Sequence, residues 1–147
     1  MKKAFCLIIV IFLISSIIGC EKEGWKGKHY KITSYADFLN ALDDMKCSVS
    51  KIKPIKNEKI QSYFSVEARN LNVDGNIITV YEFKNFEIAD SQAKTISNNG
   101  FQIGDEEVKW ADKPHFFQKG NLIVSYIGSD TIILFNLTVI LDKSIIG

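Results

Sequence analysis

The sequence is poor in the residues that most often carry chemistry or cross-links. It has only two histidines, His29 and His115, and neither stands in a metal-ligand spacing such as H-E-x-x-H. Its three cysteines, Cys6, Cys20 and Cys47, form no C-x-x-C pair. Gly100 and Gly104 lack the frame of a phosphate-cradling G-x-G-x-x-G loop, and no Lys-Ser/Thr ending follows them. Neither sign of charge dominates, with 18 Lys and Arg against 17 Asp and Glu. Nothing in that balance suggests a nucleic-acid partner, which would want a strongly basic face. No apolar run reaches the ~20 residues of a comfortable membrane span. From these absences no metal, no cofactor and no nucleic acid is expected.

What is present is concentrated at the start. Met1-Lys2-Lys3 is basic, Ala4 to Ile18 is apolar apart from Ser15 and Ser16, and Glu21-Lys22-Glu23-Gly24 turns abruptly polar after Gly19-Cys20. A cationic region, an apolar region and small residues at a cut are the order of a secretory signal. The lysines favour the cytoplasmic side, and an apolar stretch of about 15 residues suits a cleavable signal better than a permanent span. Ile17-Ile18-Gly19-Cys20 resembles the lipobox of bacterial lipoprotein precursors, in which the cysteine becomes the lipidated N-terminus. Ile18 is bulkier than the usual occupant of its place. The resemblance implies cleavage before Cys20, acyl chains on that residue, and a chain held on the outer face of a membrane, each buried CH₂ contributing ~0.8 kcal/mol.

Cleavage there removes Lys2, Lys3 and Cys6, leaving 16 basic residues against 17 acidic ones. With Cys20 lipidated, Cys47 is the one free thiol, so the folded part is expected to be held by its core rather than by a disulfide. The expected organisation is a signal segment over 1–19, a tether over 20–33 and a single domain over 34–147. Lysines, Gly24, Gly27, Trp25 and Tyr30 in the tether suit a solvated linker or the headgroup zone of the membrane.

The domain reads as α+β: an antiparallel sheet with amphipathic helices on one face, in the order helix, three strands, helix, two or three strands, helix. Ser34-x-x-Asp37 is a capping box, and Tyr35, Phe38, Leu39, Leu42 and Met45 form the stripe of the first helix. Strands are predicted over 49–55, 63–73 and 76–83, with Pro54 marking an edge and Asp74-Gly75 a type I′ hairpin turn. A helix over 86–97 is predicted to bury Phe86, Ala89, Ala93 and Ile96. A short strand over 108–110 is broken by Pro114, and a second hairpin turns at Lys119-Gly120-Asn121. The β-branched run over 131–141 is assigned to helix on its Ser129-Asp130 cap, its length and the stripe Ile133, Leu137, Ile140 and Leu141.

Three stretches together resemble small uncharacterised lipoproteins of Gram-positive bacteria. They are Tyr63-Phe64-Ser65-Val66 with Ile78-Thr79-Val80-Tyr81-Glu82-Phe83, then Val108-Lys109-Trp110, then Pro114-His115-Phe116-Phe117 running into Gly120-Asn121-Leu122-Ile123-Val124. The resemblance implies an extracytoplasmic lipoprotein and no catalytic residue.

Chemistry-bearing combinations are few. Cys47 with either histidine could in principle make a nucleophile and base, and a buried structural thiol explains Cys47 as well. Asp43-Asp44 and Asp105-Glu106-Glu107 are the acid clusters from which a glycosidase-like pair would have to be drawn. The most suggestive segment is Trp110-Ala111-Asp112-Lys113-Pro114-His115-Phe116-Phe117. Rigid aromatics on a loop make binding hot spots, which nominates Trp110, His115 and Phe117; the competing reading packs them on the sheet. The favoured function is a non-catalytic binding or accessory module at the cell envelope, its partner an envelope protein and its membrane link the lipid on Cys20. An inhibitor or immunity lipoprotein and an envelope enzyme are the alternatives.

Overall fold

The structure, a computed structural model, describes residues 28–53 and 62–146. The expected signal segment, Cys20, Trp25 and the Pro54-Ile55 strand end lie outside the described residues. The elements are α1 (Tyr35–Asp44), β1 (Val49–Lys51), β2 (Ala68–Val73), β3 (Asn76–Glu82), α2 (Phe86–Ala93), β4 (Gln102–Ile103), β5 (Glu106–Glu107), β6 (Pro114–Lys119), β7 (Leu122–Ile127) and α3 (Thr131–Leu141). The α+β class and the order of helices and strands are those expected. β1, β2, β3, β7 and β6, in that spatial order, form one antiparallel sheet, and β4 pairs with β5 alone.

Local chemistry accounts for the turns and helix ends. Asp74 and Gly75 both take positive φ, 49° and 85°, as a type I′ turn demands. The Ser34 side chain accepts from the Asp37 N–H while Asp37 reaches back to the Ser34 N–H, so the capping box forms. Glu82 Oε1 accepts from the Tyr35 N–H at 2.9 Å, and Glu82 Oε2 accepts from Arg69 at 2.7 Å. Burial alone would raise the Glu82 carboxyl; the Tyr35 N–H and the Arg69 guanidinium outweigh it and hold the group below its ordinary range. At the other end of α1, Cys47 N–H bonds Leu42 C=O and Lys46 N–H bonds Asp43 C=O, a Schellman closure with Lys46 at φ 62°. Asp130 caps α3, accepting from the N–H groups of Ile132 and Ile133. Lys119 Nζ closes its far end on Ile140 C=O and Asp142, each at 3.0 Å.

The alternation of β3 sorts the core into two. Ile78 and Val80 face α1 and α3, together with Leu71, Val73, Phe117, Leu122 and Val124 of the neighbouring strands. Phe38, Ala41 and Leu42 of α1 and Ile133, Leu137, Ile140 and Leu141 of α3 close that layer. Tyr81 and Phe83 face the other way, into a second core with Phe64, Ala68, Phe116, Ile123 and Ala89 of α2. The expectation of helices on one face therefore holds for α1 and α3 but not for α2, because the sheet is apolar on both faces and each needs a cover.

Four further expectations are corrected. The last part of the supposed tether belongs to the domain: Ile32 is 4% exposed inside the α1/α3 core, Tyr30 packs against it, and Lys28 pairs with Asp44 at 2.5 Å. α2 ends at Ala93, and Phe86 is 52% exposed rather than buried. Ile96 reaches the core by bridging Ile103, outside any helix. Residues 108–110 form no strand; β4 and β5 lie just before them, and Pro114 begins β6 at the sheet edge, where its missing N–H costs little.

Candidate functional site

The three nominated residues do not share a face. Phe117 is 1% exposed and packs in the core beneath α1 and α3. His115 points to the same side of β6, is 5% exposed, and stacks on Tyr126 with ring centroids 6.1 Å apart. Burial and the nearby Lys113 charge push its imidazole below the ordinary range despite a hydrogen bond to the Gly128 backbone, so it is neutral at pH 7. Its Nε2 has no hydrogen-bond partner. These two are packing residues. Only Trp110 remains partly open.

Trp110 stands on the opposite, α2-side face of the sheet. Its indole N–H donates to Gly100 C=O at 2.7 Å, and its ring meets Tyr63 and Phe116 edge to face at 5.2 and 6.0 Å. The indole is thus fixed by one hydrogen bond and two aromatic contacts, the kind of preorganisation a binding surface needs. Beside it runs a groove of about 500 Å³ lined by Asn98, Asn99, Phe101, Trp110, Asp112 and Lys113. Phe101 is 44% exposed at its rim. Asn99 Oδ1 accepts from Ser97 Oγ and the Phe101 N–H, which shapes the loop. Asp112 Oδ1 accepts from the Lys113 N–H and Ser129 Oγ. Gly100 takes φ 75° where a Cβ would press on Pro114 at 3.0 Å, so glycine is needed for the loop to lie against β6. The groove joins two aromatic rings to amides and one charge of each sign, which suits a mixed apolar and polar partner surface.

Sequence reading missed Phe101, Asn98 and Asn99. The Asn98-Asn99-Gly100 signal is visible, but it reads as a helix stop, and a single aromatic between polar neighbours carries no period.

A second groove of about 560 Å³ runs along the β1–β2 edge past Tyr35, Lys51, Lys53 and Arg69. It is the roomier of the two, yet its central cation is already engaged. Arg69 pairs with Glu82 and lies over the Tyr35 ring at 4.8 Å.

Among the described residues the reactive groups do not assemble. The Cys47 thiol is raised by burial and by the charge of Asp74, opposite to the direction that activates a nucleophile. Its sulfur accepts from Asn136 Nδ2 at 3.4 Å. Asp44 is paired with Lys28 at the end of α1, whereas Glu106 and Glu107 lie exposed on the β4–β5 hairpin of the other core. Among the described residues, no three His, Cys, Asp or Glu side chains gather as a metal site requires. No helix among them is long and apolar enough to cross a membrane. No family model, no curated protein and no solved structure matches the chain.

Proposed function

We propose that the chain is a lipid-anchored lipoprotein on the outer face of the membrane and acts there as a non-catalytic binding module. The observation that carries the anchor is Ile17-Ile18-Gly19-Cys20, preceded by a basic start and an apolar run and followed at once by polar residues. The binding part rests on the Trp110 groove, where a held indole and the half-exposed Phe101 stand among amides and charges. The partner this groove suits is an envelope protein that offers an apolar side chain with polar neighbours.

The test is crosslinking in intact cells that express the full-length chain, followed by membrane capture and mass spectrometry. Phe101→Ser is the informative variant, since Phe101 lies at the rim and its loss leaves the core untouched. A partner captured by wild type and lost from both Phe101→Ser and Cys20→Ala is the expected result. Capture that survives Phe101→Ser would sink the groove. Equal release of wild type and Cys20→Ala from membranes would sink the anchor.

A further inference from the structure

Beyond α3 the chain crosses to β6, an edge strand of the sheet, and residues 142–146 lie against it as a short strap. The strap is held at one point. Ile145 N–H and Ile146 N–H donate to Phe116 C=O at 2.8 and 3.3 Å, and Ser144 Oγ donates to the same oxygen at 2.9 Å. Phe116 N–H donates to Ile146 C=O at 3.0 Å. Among the described residues, Phe116 is the one residue of β6 bridged on that edge, whereas β7 on the other side pairs with β6 from Pro114 to Lys119. An edge strand so lightly covered is a template for another extended chain.

The strap is also strained at its root. Asp142 takes φ 64° and ψ −150°, a combination that only glycine adopts freely. Lys119 Nζ bonds Asp142 and the Ile140 C=O at 3.0 Å each, so the root stays in place when the strap beyond it leaves. Release lets the Asp142 backbone relax. The far end of the strap lies in the Trp110 groove, where Ile146 forms part of the lining. Its Cγ2 stands 3.2 Å from the place a Cβ on Gly100 would take, and Gly100 C=O holds the Trp110 indole. The strap therefore displays what this part of the groove accepts: an extended backbone with a branched aliphatic side chain, next to the polar Lys143 and Ser144.

Resting on the groove reading above, we infer that the envelope partner binds by strand exchange. An extended segment of the partner displaces residues 144–146, bonds Phe116 in their place, and sets a branched aliphatic side chain in the position of Ile146. Main-chain bonds give such a complex its affinity, and the side-chain site gives its specificity. A longer segment also reaches the main chain of Gln118, which by strand alternation faces the same edge as Phe116.

The test uses the full-length chain in detergent micelles with Trp25→Phe, so that the emission is that of Trp110. The probe is a synthetic peptide of residues 143–147, beside a second peptide with asparagine at the position of Ile146. Ile145→Pro removes a donor to Phe116 C=O and frees the edge, and Ser144→Ala removes only the hydroxyl bond. A site closed by its own strand binds with its affinity reduced by the open fraction. The first peptide is therefore expected to shift Trp110 emission at least tenfold more tightly in Ile145→Pro than in wild type, with Ser144→Ala between them. The asparagine peptide is expected to shift none of the three. Equal affinity for wild type and both variants, no shift in any of them at millimolar peptide, or equal binding of the asparagine peptide would overturn the exchange. Far-UV circular dichroism checks that Ile145→Pro is folded; if it is not, Ser144→Ala against wild type decides. In the cell crosslinking described above, capture is expected to rise several-fold in Ser144→Ala. Capture lost from Phe101→Ser but unchanged in Ser144→Ala would remove the exchange and leave the groove standing. Capture that survives Phe101→Ser would remove the groove and the exchange together.

Discussion

The two faces of the central sheet are built by different means. On one, two capped helices lay periodic apolar stripes over Leu71, Val73, Ile78, Val80, Leu122 and Val124. On the other, one short helix shares the cover with irregular chain, and the core is aromatic: Phe64 meets Tyr81 and Phe83 edge to face at 4.7 and 6.1 Å. Irregular chain must find partners for its backbone groups one at a time. Ser62 Oγ does so with Phe64 C=O and Val66 C=O, and Trp110 with Gly100 C=O. At the strand edge Ser144 Oγ and the Ile145 N–H both reach Phe116 C=O. Helices on a sheet leave a closed surface, whereas loops held by single bonds leave grooves between them. The difference explains why the Trp110 groove lies among the loops of the second face, whereas the groove past Tyr35 and Arg69 runs along the β1–β2 edge.

The largest effect is expected at Phe117. Because it belongs to the helix-covered core, Phe117→Ala is expected to lower stability by about 3–5 kcal/mol, read from the urea midpoint at unchanged m. A variant with a wild-type midpoint and lost partner capture would return Phe117 to the binding surface. Next comes Gly120, at φ 57° in the β6–β7 turn, where a Cβ would meet the Ile32 carbonyl oxygen at 2.5 Å. Gly120→Ala is expected to cost about 1–3 kcal/mol, through strain and through loosening the 28–33 segment from the core. Thermal unfolding with proteolysis of that segment reads both effects; an unchanged Tm with a protected segment would show that residues 28–33 do not dock as described.

A smaller effect is tied to pH. His115 has a folded-state pKa below the ordinary 6.5, so in the window between the two values the unfolded chain binds more protons. Stability is therefore full above pH 6.5 and falls as pH drops through that window. His115→Phe is expected to flatten this part of the stability–pH curve, and a slope identical to wild type would place its origin elsewhere. The smallest change is a gain. Lys46 holds a left-handed conformation that glycine adopts without a Cβ penalty, so Lys46→Gly is expected to raise stability by about 1 kcal/mol. A loss would show that the Lys46 side chain contributes more than its backbone strain costs.

Much of the first face was legible in the sequence because its signals are local. Asp74-Gly75 names its turn, Ser34 and Asp37 name their cap, and a stripe at three- and four-residue spacing identified α3 in spite of its β-branched residues. The second face was not legible, for a physical reason. Period reports which residues of one element point together, not whether the opposite side is also covered. In β6, Pro114, His115, Phe116 and Phe117 are all buried, so two cores together look like one aromatic cluster. That is how Trp110, His115 and Phe117 came to be grouped, and why only Trp110 is left at the surface. Ile32 was missed likewise, as a single apolar residue in a lysine-rich stretch carries no period.

The proposed anchoring depends on the covalent state of residue 20. Its most direct measurement is the mass of the N-terminal peptide of the protein taken from membranes. The expected result is a chain beginning at Cys20 and bearing a diacylglyceryl group, with that mass absent from Cys20→Ala. A chain that keeps Met1, or begins elsewhere with Cys20 unmodified, would contradict it.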